Sequence, residues 1–115
     1  MTTVPNAIRR FFRATARLCA LGWVMLTAAA AFGLLRSHRR DAGARARWLQ
    51  QTSHRALRVL RVITHSTGSP PQRGIVAANH LGYLDILVLA AATPVVFVAK
   101  REVSGWPLFG WFARM

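Results

Sequence analysis

At 115 residues the chain has room for one domain at most, and its 53% hydrophobic content with a mean hydropathy of +0.27 is high for a soluble globule of this size. Sixteen Lys and Arg against three Asp and Glu give a net charge of +13, which calls for an anionic partner. The aromatics sit in apolar stretches rather than among the bases, so an anionic lipid membrane is expected and nucleic acid is not. A single cysteine, Cys19, excludes an internal disulfide and any cysteine-based zinc site.

Residues 1–17 form a basic amino-terminal segment carrying Arg9, Arg10, Arg13 and Arg17. Residues 18–35, LCALGWVMLTAAAAFGLL, hold no charge and as a helix would rise about 27 Å, enough for a transmembrane or re-entrant helix. The Ala, Gly and Thr content makes this a weak span and keeps the shallow disposition open. A cleaved export signal competes, because R-R-F-F-R at 9–13 loosely resembles a twin-arginine motif and residues 28–31 are all alanine. Arg36, Arg39, Arg40, Arg45 and Arg47 beyond the run balance the arginines before it, so the positive-inside rule leaves orientation open.

Residues 36–67 read as a basic amphipathic helix region. Trp48, Leu49, Ala56, Leu60 and Ile63 recur near a 3.6 period while Arg47, Arg55, Arg58 and Arg61 take other angles, as expected of a helix lying on lipid head groups. Residues 68–73, with G-S-P-P, are a linker. A new unit is expected over 74–115: a buried strand at 74–78, a helix at 84–92 and a second strand in V-V-F-V-A at 95–99. The expected fold class is therefore α/β, a membrane-associated helical hairpin followed by the first strand-helix-strand unit of a domain whose sites lie at strand carboxyl ends.

His80 and Asp85 stand five apart in the otherwise apolar run at 74–89. On one continuous helix they would point about 140° apart, so they can meet only across a turn. Gly82 is expected to give that turn its backbone freedom, with a helix starting near Tyr83 or Leu84 and Asp85 in its first turn. The helix dipole favours a carboxylate there. An ionised Asp85 could then accept the Nδ1 proton of His80 and leave Nε2 as a base. No Ser or Cys nucleophile lies in the same stretch, so such a base would act directly on a substrate.

The stretch A-A-N-H-L-G-Y-L-D-I-L resembles the N-H-x-x-x-x-D block of the glycerolipid acyltransferases that acylate lysophosphatidic acid. F-V-A-K-R-E-V-S-G-W-P-L-F-G at 97–110 is similar to that family's K-x-E-L-x-x-x-P-x-x-G element. The resemblance implies acyl transfer from acyl-CoA or acyl-ACP to a lysophospholipid hydroxyl, with no covalent acyl-enzyme and no cofactor beyond the thioester co-substrate. The expected acceptor is 1-acylglycerol 3-phosphate, giving phosphatidic acid, with lyso-ornithine lipid as the alternative. By the same resemblance His80 is the general base and Asp85 orients it. Asn79 would hold the turn, Lys100 and Arg101 would either attract substrate phosphate or form a solvated edge, and the site would face the cytoplasm from the inner membrane of a bacterium. A non-enzymatic basic membrane-binding protein is the rival from another class. Two departures stand out: Gly82 replaces a serine common in the family, and the resemblance covers only the amino-terminal part of an acyltransferase, so a fragment is expected.

Overall fold

The computed structural model describes residues 4–34, 41–79 and 82–98. Helix α1 runs Val4–Leu34, 31 residues without a break, through both the basic segment and the uncharged run. Pro5 falls in its first turn, where a missing backbone N–H leaves no bond unmade. Thr15 and Thr27 return their hydroxyls to the carbonyls of Phe11 and Trp23, at 3.0 and 2.9 Å, and so present no unmet polar group.

Helix α2, Ala42–Leu60, begins at Asp41, whose carboxylate accepts from the backbone N–H of Gly43 and Ala44 at 2.9 and 3.1 Å. It ends at Arg61, which takes the left-handed conformation with φ 56°. The Arg61 N–H reaches the Arg58 carbonyl at 3.1 Å and the Val62 N–H reaches the Leu57 carbonyl at 3.0 Å, satisfying the last turn. Glycine usually occupies such a position; a side chain there costs about 1–2 kcal/mol. Helix α3, Tyr83–Ala92, is short and almost wholly apolar.

The three helices stack with α2 in the middle, packed on α1 along one side and on α3 along the other. The amphipathic pattern of 44–64 explains this placement. Trp48, Ala56 and Leu57 are buried and Leu49 half-buried, while Arg47, His54, Arg55 and Arg58 stay exposed. Ile63 lies beyond the helix and is exposed. Between α1 and α2 the core is Ala28, Phe32 and Trp48, with the two rings 5.0 Å apart and tilted by 57°. The buried Trp48 indole donates through Nε1 to the Ala28 carbonyl at 3.0 Å, so the ring meets both its apolar and its polar needs against α1. Gln50 ties α2 to α3 by donating through Nε2 to the Ala91 carbonyl at 3.1 Å.

The strand-helix-strand unit is present only in its helix. No strand occurs among the described residues: 75–79 and 94–98 are irregular, with Ile75 and Val98 fully exposed. Branched apolar residues favour an extended chain, but a strand exists only as a ladder, and neither segment pairs with the other or with any described residue. The described residues thus form a three-helix arrangement rather than α/β. Between α2 and α3, Gly68 at φ 85° and Gly74 at φ 111° take conformations open to glycine and strained for other residues.

The Trp48 contact should dominate the stability of the α1–α2 hairpin. Trp48→Phe should cost about 1 kcal/mol through the lost indole bond, and Trp48→Ala about 3–5 kcal/mol. Denaturant titration followed by far-ultraviolet circular dichroism would measure both; equal, negligible losses would contradict this packing.

Candidate active site

The sequence places its chemistry around the start of α3. Of the expected site residues, Asn79 and Asp85 are described, whereas His80, Lys100 and Arg101 lie outside the described residues. Asn79 is exposed and outside any helix. Helix α3 starts at Tyr83, which puts Asp85 in its first turn.

Asp85 is half-buried and closes that turn reciprocally with Gly82. Its Oδ2 accepts from the Gly82 N–H at 2.9 Å, and its own N–H donates to the Gly82 carbonyl at 3.1 Å. This is the acidic half of a capping box, and it sets the negative charge at the positive end of the helix dipole. At the far end, Ala90 and Ala91 are buried and the Ala91 carbonyl is held by Gln50. The helix is therefore anchored by its carboxyl end, and Asp85 sits at the opposite, more open one, next to the exposed Leu84.

Gly82 does not serve the purpose expected of it. Its φ of −169° and ψ of 168° describe extended backbone that any residue adopts, and a Cβ there would meet nothing within 4 Å. The turn does not draw on glycine's freedom at this position. A serine would fit and would add the side-chain cap that glycine lacks.

A second set of polar groups converges on the hairpin. Arg13 and Arg17 of α1 and Arg58 and Arg61 at the end of α2 line an open groove of about 340 Å³, floored by Ala16, Ala20 and Val59. In the sequence these arginines read as separate polar faces; their spacing of four within α1 and three at the end of α2 places each pair on one side, but only the helix pairing joins the two.

Residues 60–115 match the acyltransferase family model. This match, together with the similarity to glycerolipid and lysolipid acyltransferases, supports an acyltransferase relationship for that part of the chain. Over 72 residues the chain is 43% identical to the lyso-ornithine lipid O-acyltransferase of Rhizobium meliloti, a match covering 60% of this chain and 25% of that protein. It is 52% identical over 48 residues to the enzyme of the same name from Rhodobacter capsulatus, covering 41% of this chain and 17% of the relative. With the 1-acyl-sn-glycerol-3-phosphate acyltransferase of Neisseria gonorrhoeae it shares 45% identity over 40 residues, 35% of this chain and 16% of that one. The chain thus spans a quarter or less of the length of these curated relatives. No solved structure matches it.

Proposed function

We propose that this chain carries the His-Asp segment of a membrane-associated lysolipid O-acyltransferase, moving an acyl group from acyl-CoA or acyl-ACP to the free hydroxyl of a lysophospholipid. The observation that carries this reading is the family match over 60–115, the part of the chain that contains both His80 and Asp85. In the proposed step, His80 Nε2 takes the hydroxyl proton as the oxygen attacks the thioester carbonyl. The tetrahedral intermediate then expels the thiolate, which takes the proton back from the imidazolium. Asp85 would hold Nδ1. Its capping bond is compatible with that role, because a carboxylate offers about four acceptor positions. Asn79 supports the turn, and Lys100 and Arg101 attract substrate phosphate.

The acceptor we favour is 1-acylglycerol 3-phosphate, the substrate in the name of the Neisseria relatives. Lyso-ornithine lipid is the second reading, motivated by the 72-residue match to the Rhizobium meliloti protein.

Membrane attachment rests on α1, which by length and composition is apolar enough to cross a bilayer over Asn6–Leu34. Its packing favours a helix lying in the membrane plane at the cytoplasmic face. At 100° per residue, the exposed Ile8, Phe11, Phe12, Leu18, Trp23, Leu26 and Leu34 share an arc of roughly 160° along the whole helix. Arg9, Arg10, Arg13 and Arg17 fall in the complementary arc, on the side that holds α2 through Ala28 and Phe32. An upright α1 would carry α2 into hydrocarbon with Gln51, His54 and Arg55 exposed, at about 2.5–3.5 kcal/mol for a central arginine alone. Lying flat, the stripe enters the acyl region while every arginine stays among phosphates.

Two outcomes follow. In the natural gene product containing this segment, His80→Ala should lower acyl transfer to 1-acylglycerol 3-phosphate by about 10²–10⁴-fold and leave membrane binding intact; unchanged transfer removes His80 from its role, and a preference for lyso-ornithine lipid selects the second acceptor. In sealed vesicles, with Cys19→Ala as background, Arg9→Cys and Arg47→Cys should both react with an impermeant maleimide from the same side. Reaction from opposite sides would mean that α1 crosses.

A further inference from the structure

The arginine groove has no counter-charge of its own. None of its lining residues is acidic, and the described carboxylates are engaged elsewhere: Asp41 caps α2 and pairs with Arg47 at 3.7 Å, and Asp85 caps α3. Arginines 40 or more apart in sequence are brought together, so that four of them line one concavity. The carboxyl-terminal dipole of α2 favours cations at Arg58 and Arg61. It does nothing for Arg13 and Arg17, which sit in the interior of α1. Like charges lining one groove focus a positive potential that attracts anions.

Arg61 adds an independent observation. It occupies the left-handed cap where glycine would be relaxed, and its side chain lines the groove. A strained backbone that is kept while an unstrained residue would serve the helix better marks a side chain with a task of its own. The floor of Ala16, Ala20 and Val59 leaves space above it, and arginine forks are shaped to hold phosphate oxygens in pairs.

We infer that Arg13, Arg17, Arg58 and Arg61 form a binding site for the phosphate of an anionic lipid head group, clamped between α1 and α2. The source is lipid rather than a free anion because the groove lies on the arginine side of α1, opposite the exposed apolar stripe. With that stripe in the acyl region, the groove stands at phosphate depth. The inference rests on the membrane reading above and adds a discrete site to it. Occupied, the site would fasten the two helices together at the end away from the Trp48 contact, and would make attachment depend on head-group charge.

The test uses the full chain and its cosedimentation with vesicles of phosphatidylcholine, with and without phosphatidylglycerol. The groove pair Arg13→Gln with Arg58→Gln is compared with Arg9→Gln with Arg55→Gln, which removes equal charge from the same helices outside the groove. Diffuse attraction predicts equal losses. The site predicts a loss of phosphatidylglycerol-dependent affinity about tenfold greater for the groove pair, no difference on phosphatidylcholine alone, and only partial rescue by Arg13→Lys with Arg58→Lys. Arg61→Gly should raise the unfolding midpoint yet weaken binding, a combination that a purely structural Arg61 would not give. Equal losses in the two pairs, or groove-dependent binding seen only with inorganic phosphate or an oligonucleotide, overturn the head-group site. Failure of the wild-type chain to bind any vesicle overturns the membrane reading itself and the site with it.

Discussion

The packing of α2 along α1 is the constraint on which the rest depends. Trp48 fixes it by burying its ring on Phe32 and spending its one polar atom on the Ala28 carbonyl. Once the helices are so joined, neither can be placed in a membrane without the other. An apolar helix alone could stand upright; bound to a neighbour whose outer face is Arg47, Gln51, His54, Arg55 and Arg58, it cannot do so cheaply. In the proposed membrane placement, the exposed stripe of α1 and the arginines of both helices sort themselves by depth.

The same middle helix carries α3. Gln50 and the buried Ala90 and Ala91 hold the carboxyl end, leaving the amino end, with Asp85 and its bond to Gly82, as the more open one. Asp85 is thereby fixed in direction by its own backbone neighbour. A carboxylate immobilised in this way is well suited to orient an imidazole, because it brings less rotamer freedom to be lost. The proposed catalytic pair would inherit its geometry from a helix cap, and the cap from a helix seated on the α1–α2 hairpin.

Much of this was legible in the residues. The 3.6-residue pattern of 44–64 separated Trp48 and Ala56 from Arg55 and Arg58 correctly, and the helix expected from about Tyr83 with Asp85 in its first turn is present. Four features escaped for distinct reasons. The division of α1 at Arg17 followed charge, yet arginines and leucines are equally good helix formers, so the helix runs through. Strands at 74–78 and 95–99 were read from local preference, whereas a ladder needs a partner that no local pattern supplies. Gly82 was assigned a conformational freedom that its extended backbone does not use. The meeting of Arg13 and Arg17 with Arg58 and Arg61 depends on how two helices pair, and so no single window of sequence contains it.

The most direct measurement of the central claim is a nitroxide scan along α1 in bilayers, reading collision rates with oxygen and with a polar nickel chelate at each position from 6 to 34. A hairpin lying flat gives oxygen accessibility that oscillates with the helical period along the entire length, high at Phe11, Leu18 and Leu26 and low at Arg13 and Arg17. A steady rise to a single maximum near the middle, followed by a fall, would mean an upright helix and would contradict the account.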